Sequence, residues 1–321
     1  MSGAPDRASV VALPKAELHL HLEAAMRPGT ARELAGRLGA PAPRHGPYAG
    51  QREFVGDYES ARDLITSLDD LYRVAGEIVE DAAAQGIVWT ELHCVPFNYG
   101  GRLGPAEGIV EAVLDGLRSG HGRTGSAAAL ILAHNRAAGP AQAWQVLDLA
   151  RRYQCQGVVA LGLAGDEAGY PPAPYAEVFA AARAAGLLAV PHAGEGAGPA
   201  SVRAAWQELG AHRISHGMSA AADPGLLAEL AAAQVCLDVC PTSNVMLRAC
   251  PSIGEHPLPR LLEAGVAVSL GSDGPLFFGA SLVDEYLTAA RVFGLGAGEL
   301  RAIAANSLRF SAAPRELVEP R

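Results

Sequence analysis

Short apolar runs alternate with amphipathic stretches along nearly the whole chain. The first run, residues 15–23, sets Leu18, Leu20 and Leu22 against His19 and His21. An alternation of period two predicts a β-strand, with the two histidines on one face and the leucines on the other. Further apolar runs predict buried strands at 86–95, 127–134, 157–163, 187–192, 213–216, 235–239 and 266–269. Between them apolar residues recur at helical spacing, which predicts helices at about 31–39, 60–85, 105–119, 141–153, 175–185, 201–209, 224–232 and 257–263, then two more at 281–293 and 298–309. Thr30 is positioned to cap the first of these. Residues 1–14 read as a loosely tied tail. Residues 40–60 carry Pro41, Pro43, Gly46, Pro47, Gly50 and Gly56 among Tyr48, Phe54 and Tyr58. They read as a long irregular excursion, either a lid over a site or a surface loop anchored by its aromatics.

A strand–helix unit repeated eight times, with strands apolar on both faces, predicts a parallel sheet covered by helices on both sides. The chain of 321 residues suits a closed (β/α)₈ TIM barrel with extra C-terminal helices, organised as a single domain over 1–321. An open doubly wound sheet is the alternative. The glycine-rich turn it would carry after its first strand is replaced by His21-Leu-Glu-Ala-Ala25.

Composition narrows the function. Half the residues are hydrophobic, enough for a large core, and the net charge of -9 argues against nucleic acid or an anionic membrane as partner. No uninterrupted apolar stretch is long enough to span a bilayer, and Met1 to Pro14 lacks a signal-peptide layout. Cys94, Cys155, Cys236, Cys240 and Cys250 form an odd set without C-x-x-C spacing, as expected of reduced thiols in a cytoplasmic protein. Lys15 is the one lysine. A phosphate-loop lysine, an interior Schiff-base lysine and a carbamylated bridging lysine at mid-chain are thereby absent.

In a parallel barrel the site lies at the carboxyl ends of the strands. Those ends supply His19, His21 and Glu23; His93; His134 and Asn135; Gly165, Asp166 and Glu167; His192 and Glu195; His216; Cys240 to Asn244; and Asp273. One consistent assignment puts a divalent metal on His19, His21, His192 and Asp273. That donor set suits Zn²⁺, with Fe²⁺ possible, and such an ion lowers the pKa of a bound water toward about 7. His216 would then orient or deprotonate the water, and Glu195 would donate a proton to the substrate if a dry pocket raises its pKa. His93 and His134 are expected as pocket lining or polar core. His45, His121, His212 and His256 are expected to be solvated.

His19-Leu-His-Leu-Glu23, Leu163-Ala-Gly-Asp-Glu167, His192-Ala-Gly-Glu195, Ser215-His-Gly217 and Ser269-Leu-Gly-Ser-Asp-Gly-Pro275 stand in the order seen in the adenosine deaminase family of the amidohydrolase superfamily, which the chain resembles over nearly its whole length. The resemblance is closer to the bacterial adenosine-deaminase-like branch. It implies a barrel with one zinc per chain that replaces an aromatic amino group by oxygen and releases ammonia. It further implies His19, His21, His192 and Asp273 as metal ligands, Asp273 among the catalytic groups, and Glu195 as the acid that protonates the purine N1. His216 would position the hydroxide, the Gly165 backbone would donate to N3, and Glu23 would lie near the ribose. The H-x-E and P-C-x-x-C motifs of cytidine-type deaminases are absent.

One position departs from the pattern. The family carries a second aspartate after the metal-binding one, in contact with purine N7, and here Gly274 follows Asp273. Losing such a contact costs on the order of 1–3 kcal/mol. Asn244, Glu167 or an aromatic of 97–99 would have to compensate, or the substrate is a modified aminopurine or another 6-amino heterocycle. Restoring the acid by Gly274→Asp would then raise activity on adenosine. Two other functions compete: a hydrolase of the same barrel acting on an amide, lactone or phosphoester, and a non-catalytic binding protein. The oligomeric state is left open.

Overall fold

The computed structural model describes residues 5–318. Its eight strands are β1 Lys15–His21, β2 Ile87–Cys94, β3 Ala127–Asn135, β4 Val158–Ala164, β5 Leu188–Ala193, β6 Arg213–His216, β7 Cys236–Val239 and β8 Ala267–Leu270. They pair in sequence order and all neighbours are parallel, as the strand–helix alternation predicts. The ring closes just past β8. There Asp273 N–H donates to the His19 carbonyl (2.9 Å) and His21 N–H donates to the Asp273 carbonyl (3.0 Å). Closure depends on Gly271, where a Cβ would fall 2.7 Å from that of His19. The seam of the barrel is therefore also the place where the candidate metal ligands meet.

Helices fill the outer layer. After β8 come a short helix, Pro275–Phe278, and two longer ones, Leu282–Val292 and Ala297–Arg309. The last of these returns to the barrel: Ser307 Oγ accepts from Ala16 N–H, and Asn306 Nδ2 donates to the Val268 carbonyl. Among the described residues no helix is long and apolar enough to cross a membrane.

Three sequence expectations are corrected. Of the expected tail, residues 1–4 lie outside the described residues, but Arg7–Ala12 is a helix capped by the Asp6 carboxylate. It is tied down by Lys15, whose buried ammonium donates to the carbonyls of Val10, Leu13 and Gln85. The expected helix over 60–85 is two helices, Gln51–Asp63 and Leu68–Ala84. They separate where Ser67 and Asp70 form a capping box, an N-terminal signal that restarts the helix although the apolar spacing runs through it. The irregular excursion at 40–60 thus ends in a helix that starts at Gln51. Thr30 is not a cap: the helix Pro28–Leu38 begins before it, and its hydroxyl donates to Glu77.

Candidate metal centre and substrate pocket

Period two along β1 brings His19 and His21 to the inside of the barrel mouth, and the last turn of β5 adds His192. The chain beyond β8 turns through Asp273 in a left-handed conformation (φ 59°), which aims its carboxylate back at them. His21 Nε2 and His192 Nε2 lie 3.1 Å apart. Asp273 Oδ1 is 3.4 Å from His21 Nε2 and 3.7 Å from His19 Nε2. The other ring nitrogens say which face is bare. His19 Nδ1 meets the Asp238 carbonyl at 3.2 Å and His192 Nδ1 meets the Leu163 carbonyl at 3.0 Å. A carbonyl only accepts, so each Nδ1 carries the proton and each Nε2 presents a lone pair. His19 Nε2 is buried with no hydrogen-bond partner. Lone pairs converging on one another and on a carboxylate suit a divalent ion such as Zn²⁺.

Burial drives the imidazoles toward neutrality. It pushes His21 down to about 4 even though Asp273 opposes the shift, and it takes His192 well below the ordinary histidine value. The Asp273 carboxyl is pushed up by burial, but the neighbouring His19, His21 and His216 and the Ser243 hydroxyl, which donates to Oδ2 at 2.5 Å, bring it below its usual value. Neutral His21 and His192 beside an ionised Asp273 are in the protonation state that metal binding needs.

Glu195 faces this group from the loop after β5. Its backbone is fixed by Glu167, whose buried carboxylate accepts from the N–H groups of Gly194, Glu195, Gly196 and Ala197. Burial first, then Asp273 and Glu167, raise the Glu195 carboxyl well above its ordinary value. Its Oε2 is 3.5 Å from His216 Nε2, and its Oε1 is buried without a partner. His216 also has a left-handed backbone (φ 67°), and its Nδ1 lies 3.1 Å from Asn244 Nδ2.

The cavity above these groups reaches from His21, His192, His216 and Asp273 to the helix Gln51–Asp63, which contributes Phe54, Val55, Tyr58 and Arg62 to its wall. Phe54 is anchored against Tyr48, Phe277 and Phe278. Gly165 lines the cavity with φ 100°, and a Cβ there would fall 2.8 Å from Asn135 Oδ1. Glu23 lies behind the wall, where its two oxygens accept from the hydroxyls of Tyr58 (2.5 Å) and Tyr99 (2.7 Å).

The remaining sequence expectations divide. His93 and His134 are buried, and neither nitrogen of either ring has a partner. His45, His121 and His212 are exposed, but His256 is buried and bonded to Asn244, contrary to the solvated position expected for it. Of the residues expected to replace the N7 contact, Glu167 is consumed by four backbone amides and Asn244 lies between His216 and His256. Of the aromatics of 97–99, neither Phe97 nor Tyr99 lines the cavity, and Tyr99 donates to Glu23; Asn98 between them does, beside Asn135. At Gly274 a Cβ would stand 2.9 Å from the Ala24 Cβ, so the position has no room for an acid unless the backbone moves. The sequence marks 40–60, with Phe54 and Tyr58, as a lid or a surface loop but does not reveal that 51–63 is a helix, although Gln51, Phe54, Val55, Tyr58, Glu59 and Arg62 follow the i, i+3, i+4 spacing of one helix face.

A mouth of bare imidazoles and a carboxylate on a parallel barrel, with a buried acid across from them, defines a metal-dependent aminohydrolase of the amidohydrolase superfamily. More narrowly, residues 14–318 match the adenosine deaminase family, and the chain belongs to it. It is similar to a putative adenosine/adenine deaminase of Streptomyces coelicolor, at 39% identity over 95% of this chain and 93% of that one. Among solved structures it resembles the adenine deaminase from Arthrobacter aurescens, with a TM-score of 0.88 at 30% identity, covering 96% of this chain and 97% of that one. It also resembles an amidohydrolase from Burkholderia ambifaria with bound Zn, with a TM-score of 0.87 at 26% identity, covering 98% of this chain and 91% of that one.

Proposed function

We propose that this chain is a zinc-dependent deaminase of a 6-aminopurine base or nucleoside, working in the cytoplasm as one barrel domain with the helix Gln51–Asp63 as its lid. The observation that carries the proposal is the pairing of unlike groups across one cavity: bare Nε2 lone pairs beside Asp273, and opposite them a carboxyl that burial keeps protonated. One zinc would be held by His19, His21, His192 and Asp273, and would supply the Lewis acidity that makes water a nucleophile at neutral pH.

The chain's own residues perform the rest. Glu195 gives its proton to the ring nitrogen next to the amino-bearing carbon, which makes that carbon electrophilic. Asp273 takes the proton released as the water oxygen bonds to the carbon, and His216 holds that oxygen in line. That proton then passes to the amino nitrogen, the C–N bond breaks as the new hydroxyl returns its proton to Glu195, and ammonia leaves with an oxo-purine left in the pocket. The Gly165 backbone amide contacts the far side of the ring. Glu23 fixes Tyr58 over the end of the pocket where a sugar would lie.

A binuclear hydrolase is the weaker reading because its bridging lysine is missing. Lys15 sits at the opposite end of β1, held by three carbonyls. The test is ammonia release by zinc-loaded protein from adenosine, 2′-deoxyadenosine, adenine, 5′-modified adenosines, aminodeoxyfutalosine, and guanine- and cytosine-type compounds. Release from an aminopurine with one metal per chain is expected. Two metals per chain, or silence across the panel, would overturn the proposal.

A further inference from the structure

Resting on the deaminase reading, we propose that His256, acting through Asn244, holds His216 in the tautomer that carries its proton on Nε2. His216 is then a hydrogen-bond donor into the pocket, neither a metal ligand nor the base that deprotonates water.

The relay of donors starts at the backbone. The Leu258 N–H donates to His256 Nδ1 at 3.1 Å. A peptide N–H can only donate, so Nδ1 is unprotonated and the single proton of the buried, neutral ring is on Nε2. That Nε2 meets Asn244 Oδ1 at 3.2 Å. The orientation of the Asn244 amide is thereby decided: its oxygen is committed to His256, and its NH₂ faces His216 Nδ1 at 3.1 Å. An NH₂ group has only protons to offer. His216 Nδ1 therefore accepts, and the proton of this ring is on Nε2, the nitrogen 3.5 Å from Glu195 Oε2. His256, Asn244 and His216 are all buried, so no exposed side chain breaks the sequence of donors.

The opposite arrangement holds for the neighbouring rings. His19 and His192 give their Nδ1 protons to backbone carbonyls and turn lone pairs inward. Distance alone does not separate His216 from them, because ligating atoms of His19, His192 and His216 lie within 4.8 Å of one another. The partner of Nδ1 does: carbonyls behind two rings make acceptors, and an amide NH₂ behind the third makes a donor. With His216 already protonated on its inward nitrogen, Asp273 is left to take the proton of the attacking water. Asn244 and His256 are positioning residues, and neither lines the catalytic cavity.

The test is ¹⁵N NMR of the histidine rings in zinc-loaded protein, with the His216 signals assigned by their loss in His216→Asn. The expected spectrum shows His216 protonated on Nε2. Asn244→Asp is nearly isosteric but only accepts, so it should move that proton to Nδ1. With one zinc still bound, kcat should fall about 100-fold and KM stay within about threefold, the scale of one lost transition-state donor. His256→Leu should lower kcat about tenfold, and His256→Gln, which can still donate to Asn244, should recover most of it. A wild-type His216 protonated on Nδ1, or an Asn244→Asp variant with unchanged kcat, would overturn the assignment. Failure of the deaminase reading looks different: an Nε2-protonated His216 in a protein that releases ammonia from no aminopurine.

Discussion

Two buried polar layers lie inside the same barrel, and they follow opposite rules. Toward the amino ends of the strands Arg213 donates to Asp238 Oδ2 (2.9 Å), Glu91 Oε2 (2.7 Å) and the Phe310 carbonyl (2.8 Å). Trp89 and the Ala312 N–H satisfy the other Glu91 oxygen, and Ser269 satisfies the other Asp238 oxygen. At the carboxyl ends His19 Nε2 and Glu195 Oε1 are as deeply buried and have no partner. Burying a polar group without a partner costs about 1–3 kcal/mol, so before a metal is bound the second layer works against stability. The difference teaches where to look for chemistry: a closed ion network is structure, and an open one is a site. The two layers are also coupled, since Asp238 accepts from Arg213 through its side chain while its carbonyl orients His19.

The largest test of this contrast is Glu195→Gln. The amide keeps the shape and removes the proton donor, so kcat should fall by about 10²–10⁴. Zinc content should be unchanged, and the melting temperature unchanged or higher, because folding no longer has to protonate a carboxylate that is ionised in the unfolded chain. In the parent enzyme the raised pKa of Glu195 keeps it protonated above the usual carboxyl range. Activity should therefore fall as pH rises through that value, and any residual turnover of the variant should lack this alkaline limb. A retained limb or unchanged kcat removes Glu195 from the acid role.

Arg213→Met is the matching cut in the closed layer. It leaves Glu91 and Asp238 buried without their cation and should cost about 3–5 kcal/mol, read as a lower urea midpoint. His19→Ala, one layer up, should barely move that midpoint in metal-free protein yet abolish stoichiometric zinc binding. If the two variants destabilise alike, the division into a structural and a reactive layer fails.

Much of this could be read from the chain. The barrel was legible because its strands and helices repeat with clear periods, and the meeting of His19, His21, His192 and Asp273 at one mouth because polar groups of a parallel barrel gather at the strand ends. The helix Gln51–Asp63 was hidden by its surroundings: Pro41, Pro43 and Pro47 crowd the stretch before it, Gly50 precedes it and Gly56 sits on its exposed side. The N-terminal helix was missed for want of length, since six residues carry little periodicity. His256 was misjudged for a different reason. It lies on no strand end, and its burial depends on Asn244, on Leu258 and on its packing against Phe293. Glu23 was placed beside a ribose by resemblance, whereas its immediate partners are two tyrosines.

A smaller test uses Glu285, a buried carboxyl that feels the charge of Asp273. Its Oε1 accepts from the Thr242 N–H and its Oε2 has no partner. Burial raises its pKa from 4.5 to about 8. The folded state thus holds this proton more tightly than the unfolded one. The stability it contributes is complete below about 4.5 and is lost as pH rises toward about 8. Glu285→Gln cannot ionise, so its melting temperature should overtake that of the parent by several degrees between about pH 5 and pH 8. Parallel melting curves across that range would show that Glu285 behaves as part of a closed network after all.

The smallest expected effect is at Gly274, where the sequence and the structure give opposite forecasts. The resemblance alone says that Gly274→Asp restores a missing ring contact and raises activity on adenosine. The geometry says otherwise. A Cβ at this position would stand 2.9 Å from the Ala24 Cβ and 3.2 Å from Phe278 Cε2. The first of these is rigidly attached to the chain and cannot swing aside. The variant should lose about 1–3 kcal/mol of stability, as overpacking does, and gain no adenosine turnover. Combining Gly274→Asp with Ala24→Gly removes the blocking methyl and should recover part of that stability. Only in that background does adenosine activity report on the ring contact. A gain in the single variant would mean that the seam between β1 and β8 yields more readily than its hydrogen bonds imply, and that the open layer is adaptable where it meets substrate.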